Sequence, residues 1–417
     1  MFHHLYHSPA VIKRHLDAPL LEERMRYLNY RAKQGISRKI LFQIADYQLI
    51  IIKHLHIKKG ETVTPEEIAL AAKQYDKCRA IKDSRLGKSH SLFCKKRFIQ
   101  HASHWLRFLD RIKVPAQPSM PSQITEFIDY MRNEKGLSER TIHNNLDFLI
   151  KSFSQGKKDL SQLLAHLTPE HLDNFLIQVT QKGTYARRTI QKFASTLRVF
   201  LRYAEGRGWC RPRIADSIHS PRNYTHQSLP SGPCWEDVQR LLKTTEGNNP
   251  VNIRDRAILL LLVVYGMRSG EVRKLQFEDI DWERQVLRLK RTKCGITQQF
   301  PLAQTVGRSL MRYIKRVRPQ RSAHHEIFLT LRAPFRPLRI IYHIVANRMK
   351  PFNIAIEHHG SHSLRHACAT RLINQGISLK AIADHLGHRN LETTRIYAKI
   401  DLSKLRDVAS FNMGGLS

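Results

Sequence analysis

Helical periodicity runs through most of this chain and constrains its fold more than any other feature. Apolar residues recur every three to four positions in stretches such as 18–35 and 36–56, which is the pattern of helices that bury one face. One segment, residues 279–302, instead alternates around Val286, Leu287 and Leu289, and this predicts a hairpin that turns near Cys294 and Gly295. The sequence therefore predicts a mainly α fold with a small antiparallel β-sheet.

The chain has 417 residues, which is longer than a domain with a single hydrophobic core usually is, so we expect two or three domains. The segment 210–233 is rich in Pro, Ser and Arg and lacks periodicity, which indicates an interdomain linker. We therefore divide the chain into a helical extension at 1–88, a helical domain at 89–209, the linker, and an α+β domain with a tail at 234–417.

Charge is the most informative part of the composition. Lys and Arg number 70 against 35 Asp and Glu, a formal net charge of +35, and such self-repulsion indicates a polyanionic partner, nucleic acid before an anionic membrane. The apolar run Ala257–Met267 is too short to span a bilayer, which takes about 20 residues. The N-terminus lacks the apolar core of a signal peptide, so we expect an intracellular protein without a membrane partner.

Two familiar site types are disfavoured by spacing. The six cysteines show no C-x-x-C pair, which argues against a disulfide framework or a zinc ribbon. The triplet Gly87-Lys88-Ser89 suggests a phosphate loop, but Lys82 stands where that motif requires its first glycine.

The histidine-rich segment "EHHGSHSLRHACATRL" permits two interpretations. His362 and His366 lie four residues apart, the helical spacing at which two histidines share a metal. However, the H-E-x-x-H pattern is absent and Arg365 would repel a dication. His362 and Arg365 lie three apart, on one helix face, where both can bind a single phosphate, so the anion interpretation uses these residues better.

Three further residues are ambiguous one at a time. Tyr397 ends a helical stretch, and a phenol with a pKa of about 10 is a poor nucleophile unless cations and a base surround it. Arg268 follows the apolar helix and precedes Glu271 by three residues, which suits either a buried arginine oriented by a carboxylate or a surface ion pair. Lys293 at the hairpin tip is either an exposed lysine or a proton donor. Cations around a tyrosine would make a metal-free phosphoryl-transfer site.

Four segments resemble the tyrosine recombinases of the phage integrase family. "SHSLRHACATRLINQG" looks like the family's H-x-L-R-H box, and "LGHRNLETTRIYAKI" looks like its L-G-H to Tyr box. "RDRAILLLLVVYGMRSGEVRKLQFEDID" is similar to the box with the first catalytic arginine, and "TKCGITQQFPL" to the hairpin with a lysine eight residues before a proline. The resemblance covers about Gln123–Leu405, and it implies that residues 89–209 are a SAM-like core-binding domain. Residues 1–88 fall outside it and are an arm or an interaction module.

The resemblance implies six catalytic positions and one supporting carboxylate. They are Arg268, Lys293, His362, Arg365, His388 and Tyr397, with Glu271 behind them. In the family's pattern the two arginines bind the nonbridging phosphate oxygens, and His388 donates a hydrogen bond to the phosphate.

The remaining roles concern proton transfer and attack. Tyr397 would attack and form a 3′-phosphotyrosyl bond, His362 would assist its deprotonation, and Lys293 would protonate the 5′-oxygen that leaves. Because the phosphotyrosine keeps the energy of the broken bond, no metal and no other cofactor is implied. Two departures from the family are Gly270, where a small hydroxyl residue or alanine is usual, and a hairpin that lacks the common second basic residue.

The implied function is site-specific cleavage and rejoining of double-stranded DNA, for integration, excision or transposition of a mobile element. The enzyme would clamp a recombination site with inverted repeats between its domains and act as a homotetramer in the synaptic complex. Two questions stay open: whether the free protein is a monomer, and whether accessory recombinases are partners. The expected location is the prokaryotic cytoplasm, with the nucleoid. A type IB-like topoisomerase and a catalytically silent DNA-binding accessory protein are the alternatives.

Overall fold

The computed structural model describes most of the chain. The described residues are 1–82, 88–113, 120–153, 159–181, 185–219, 232–291, 295–320, 322–354, 356, 358–388 and 394. Within them, no helix is long and apolar enough to cross a membrane.

The N-terminal segment is a set of packed helices. Their bounds are α1 Phe2–Leu5, α2 Pro9–Asp17, α3 Leu21–Lys33, α4 Arg38–Leu55, α5 Pro65–Lys82 and α6 Lys88–Phe108. Helix α5 starts at Pro65 because Thr64 and Glu67 cap it reciprocally: the Thr64 amide donates to Glu67 Oε2 (2.7 Å), and the Glu67 amide donates to Thr64 Oγ1 (3.2 Å).

The first structural boundary lies later than the sequence-based division at residue 88. Helix α6 packs on α4 and α5, and its Phe98 and Trp105 lie in the same apolar core as Leu28 and Ile51. The chain divides after Lys113, and residues 1–113 group with the C-terminal segment rather than with the helices that follow. The physical reason is that the apolar face of α6 packs on α4. The basic composition of the preceding segment gave no indication of this contact.

A second unit covers residues 114–227. Its helices are α7 Ser122–Asp129, continued by a π-helical turn at Tyr130–Glu134, then α8 Glu139–Phe153, α9 Leu160–Ala165, α10 Pro169–Gln181 and α11 Arg187–Gly206. The start of the expected linker belongs to this unit, because Ile214, Ala215 and Ile218 are buried in its core and a 3-10 turn, Ile214–Ser217, packs on α11. Sequence periodicity missed it because a single turn is too short to show a period.

The C-terminal segment surrounds one apolar helix. Its elements are α12 Trp235–Lys243, α13 Pro250–Val264, α14 Ser269–Arg273, β1 Ile280–Asp281, β2 Val286–Arg291, β3 Ile296–Pro301, α15 Gln304–Arg316, α16 Tyr342–Met349, α17 Ser361–Asn374 and α18 Leu379–Leu386. Helix α13 is buried almost all round because α12, α14, α15 and α17 pack against it. Its apolar run therefore forms the centre of a core.

The expected hairpin is confirmed as part of a three-stranded antiparallel sheet in the order β1-β2-β3. Strand β2 pairs with β3 from Val286 opposite Pro301 to Arg291 opposite Ile296. Tyr265, at the end of α13, fixes the sheet to the core: its hydroxyl donates to the Pro301 carbonyl (2.9 Å) and accepts from the Ala303 amide (2.8 Å). The mainly α fold with a small antiparallel sheet is thus confirmed.

Candidate active site

Arg268 and Glu271 form a partly buried ion pair at the start of α14. The carboxylate of Glu271 accepts from the Arg268 backbone amide (2.8 Å) and from Arg268 Nη1 (2.9 Å). The Glu271 side chain is 2% exposed, whereas that of Arg268 is 22% exposed. Of the two arrangements that the sequence left open, the structure is nearer to the arginine oriented by a carboxylate, although the Arg268 guanidinium is only partly buried and retains an accessible side.

Arg365 enters the same region from α17. It is 1% exposed, and its guanidinium donates to the backbone carbonyls of Gly266 (Nη1, 2.5 Å) and Leu386 (Nη2, 2.6 Å). The approach depends on Gly266, which has φ +54° and where a Cβ would run into Leu386. Arg268 Nη2 donates to the neighbouring carbonyl of Gly387 (3.1 Å). Two arginines distant in sequence therefore bind adjacent carbonyls at the end of α18.

His388 follows Gly387 directly in the chain. Its Nδ1 is 2.7 Å from Oγ1 of Thr394, a residue that is fully buried. Burial lowers the pKa of His388 to about 4, with the positive charges of Arg365, Arg268 and Arg291 acting in the same direction. His388 is consequently neutral at physiological pH, so one ring nitrogen can donate and the other accept.

His362 lies at the first turn of α17 and is exposed. Its ring meets that of His366 edge-on, with centroids 4.6 Å apart, and burial followed by the charges of His362 and Arg365 lowers the pKa of His366 to about 4. Among the described residues, no group of three or more His, Cys, Asp or Glu side chains could hold a metal ion. His362 and Arg365 differ in environment, since the first faces solvent and the second is enclosed.

Four of the seven sequence-predicted positions converge: Arg268, Glu271, Arg365 and His388. His362 is near enough for its charge to lower the pKa of His388. Lys293 and Tyr397 lie outside the described residues. The described centre is therefore a cationic site with one buried carboxylate, suited to a phosphate group.

Sequence reasoning missed Arg291 and Gln298, which border this centre. Arg291 Nη1 donates to Glu271 (2.8 Å), and its Nε donates to Gln298 Oε1 (2.6 Å). A signal was present, because Arg291 continues the inward-facing alternation of Leu287 and Leu289 on β2. A charged residue at a core-facing strand position indicates a buried partner.

Comparison with known proteins identifies the family of this chain. The phage integrase family profile matches residues 235–403, and the profile of the phage integrase N-terminal SAM-like domain matches residues 124–208. A candidate integrase/recombinase of Sinorhizobium fredii, y4rA, is 33% identical over 321 residues, which are 73% of this chain and 76% of that protein. The chain belongs to the phage integrase family of tyrosine recombinases. Family membership assigns this recombinase to site-specific DNA recombination.

Further relatives and solved structures are consistent. Tyrosine recombinase XerC of Haemophilus influenzae is 28% identical over 295 residues, 69% of this recombinase and 96% of XerC. A lambda integrase dimer bound to a COC′ core site has a TM-score of 0.53 at 18% identity and covers 66% of this chain and 94% of its own. XerH bound to a palindromic difH substrate has a TM-score of 0.53 at 18% identity, with 85% and 98% covered. These similarities show a shared fold.

Proposed function

We propose that this recombinase cleaves and rejoins double-stranded DNA through a 3′-phosphotyrosyl intermediate on Tyr397. The observation that carries the proposal is the convergence of Arg268 and Arg365 on the adjacent carbonyls of Leu386 and Gly387, directly before His388. The two guanidinium groups are held in fixed orientations next to His388, and preorganised donors are usually the largest single contribution to such catalysis.

The proposed reaction conserves atoms and charge without a metal or nucleotide. The Tyr397 oxygen attacks the scissile phosphorus, and its proton passes toward His362. The 5′-oxygen leaves and takes a proton from Lys293, while Arg268 and Arg365 balance the charge on the nonbridging oxygens. Rejoining is the reverse step, in which a 5′-hydroxyl from another strand displaces the tyrosine.

Neutral His388 suits a donor role. A histidine with its pKa lowered to about 4 changes neither charge nor hydrogen bonding near neutral pH. With Nδ1 accepting from the Thr394 hydroxyl, Nε2 carries the proton and donates to the phosphate. Glu271 neutralises part of the arginine charge, and its Oε1 orients the Arg268 side chain by accepting from Nη1.

Duplex DNA is the proposed partner, and the net charge of +35 supports it. Lambda integrase and XerH were solved on their DNA sites, and a similar fold at 16% identity is that of the Tn1549 transposon integrase on a circular intermediate DNA. By analogy we infer a recombination site with inverted repeats, a homotetramer at synapsis, and a role in moving a mobile element. Cytoplasmic location with the nucleoid follows from the same proposal.

A nicked suicide substrate tests the mechanism, because loss of the short fragment that carries the 5′-hydroxyl traps the covalent protein–DNA adduct. Wild-type protein should form an adduct that resists denaturation, and Tyr397→Phe should form none while still binding DNA. Tyr203→Phe, which changes a tyrosine of the second unit, serves as the matched control and should form the adduct. An adduct that survives Tyr397→Phe would refute the assignment.

The topoisomerase alternative predicts a different product. A recombinase exchanges strands between two DNA sites, whereas a topoisomerase relaxes a supercoiled plasmid as a monomer. Recombinant product from a two-site substrate is expected, and relaxation without it would favour the alternative.

A further inference from the structure

The end of α18 is held by side chains from three separate parts of the chain. Four successive carbonyls each accept from a different side chain: Asp384 from Gln298 Nε2 (2.6 Å), His385 from Arg291 Nη2 (2.5 Å), Leu386 from Arg365 and Gly387 from Arg268. We call these four side chains the carbonyl clamp. The carbonyls at the C-terminal end of a helix carry partial negative charge, so cations are favoured there.

The members of the carbonyl clamp are also linked to each other. Glu271 bridges Arg268 and Arg291, with one carboxylate oxygen on Arg268 Nη1 (2.9 Å) and the other on Arg291 Nη1 (2.8 Å). Arg291 in turn donates to Gln298 across the hairpin (2.6 Å). The Arg291 side chain is 0% exposed, and its Nη1, Nε and Nη2 donate to Glu271, Gln298 and the His385 carbonyl.

The fit around Arg291 is close. Gly387 has φ +63°, and a Cβ there would lie 2.8 Å from Arg291 Nε and 3.0 Å from its Cδ. The Arg291 side chain therefore occupies the space that a residue with a side chain would need. His388 follows Gly387 directly in the chain. The packing of Arg291 against Gly387 therefore also affects the position of His388.

We infer that Arg291 is a positioning residue for the proposed strand cleavage: it orients Arg268 through Glu271 and fixes the end of α18 and the β2–β3 hairpin relative to one another. This inference rests on the proposed function. Lys293, the proposed general acid, follows Arg291 by two residues in the sequence, and Arg291 is the last residue of β2.

The test compares Arg291→Lys with wild type in single-turnover adduct formation on the suicide substrate. Lysine keeps the positive charge but lacks the fork that reaches Glu271, Gln298 and His385 together. Misplacement of a catalytic group by about 1 Å costs roughly 100-fold in rate, so we expect a loss of that order with DNA affinity unchanged within about twofold. Gln298→Ala, which removes one member of the carbonyl clamp, should show a smaller loss of the same kind.

A neutral scissile linkage separates positioning from simple loss of structure. When a methyl group replaces one nonbridging oxygen, the transition state carries less charge for Arg268 to stabilise. The deficit of Arg291→Lys relative to wild type should therefore shrink to less than about tenfold on this substrate, because an oriented Arg268 contributes less there. A protein that is only destabilised would be equally deficient on both linkages.

Arg288→Gln is the matched control. Arg288 lies on the same strand, is partly exposed and pairs with Asp281 at 3.1 Å, and the variant should cleave as wild type does. Wild-type cleavage rates in both Arg291→Lys and Gln298→Ala would overturn the inference, and so would a deficit that is equal on the two linkages. Absence of any adduct with wild-type protein would instead overturn the proposed function.

Discussion

Glu271→Gln should destabilise the protein strongly, and the structure gives the magnitude. The substitution leaves the volume unchanged but removes the negative charge between Arg268 and Arg291, and it turns an amide NH₂ group toward guanidinium donors. Arg291 is 0% exposed and Glu271 2% exposed, so water cannot replace the lost charge. Breaking a fully buried pair in this way costs about 3–5 kcal/mol of unfolding free energy.

Thermal unfolding followed by circular dichroism measures the effect on the full-length chain. For a domain of about 150–250 residues each kcal/mol corresponds to about 2–4 °C, so the midpoint should fall by roughly 6–20 °C. Glu278→Gln is the control, because Glu278 also pairs with a basic residue, His325, at 2.7 Å, but is 59% exposed. Its effect should stay within about 0.5 kcal/mol.

A double variant identifies the cause of the loss. Glu271→Gln with Arg291→Met removes the uncompensated buried charge as well, so it should be more stable than Glu271→Gln alone. A midpoint for Glu271→Gln that equals that of the Glu278→Gln control would refute the reasoning, and so would a double variant that loses the sum of both single effects.

Two other predictions use the same region. Gly387→Ala should lose more stability in thermal melts than Gly376→Ala, because both glycines have positive φ but only at Gly387 would the Cβ meet another side chain, that of Arg291; equal losses would contradict the close fit. His388→Gln should reduce the loss of stability in acid. The folded pKa of His388 is lowered to about 4 from an ordinary 6.5, so the unfolded chain binds the extra proton and stability falls as pH drops from 6.5 toward 4. The unfolding midpoint of His388→Gln should therefore fall less between pH 7 and pH 5 than that of wild type, and parallel pH profiles would exclude this assignment.

Much of the fold was predictable because it depends on local pattern. The apolar run before Arg268 predicts a buried helix, and the alternation at Leu287 and Leu289 predicts a strand, whatever the rest of the chain does. The boundary after α6 was not predictable in this way. It depends on which helix its apolar face meets, and periodicity identifies such a face without identifying its partner.

The residues of the candidate site also fall into those that the sequence indicates and those that only the structure shows. The order and spacing of the family's boxes in the sequence indicated Arg268, Arg365 and His388, because such a motif is a pattern along the chain. Arg291 and Gln298 belong to no such box. They matter because they bind backbone carbonyls. Since every residue has a carbonyl, no sequence pattern marks these contacts.

The sequence by itself thus determined the helical class, the positive charge, the family and the residues proposed for phosphoryl transfer. Only the tertiary structure decided that Glu271 serves two arginines and that the end of α18 joins Arg268, Arg291 and Arg365. The physical reason is that helix-terminal carbonyls and a buried carboxylate act through distance and desolvation. Both quantities are created by packing segments that are far apart in the chain.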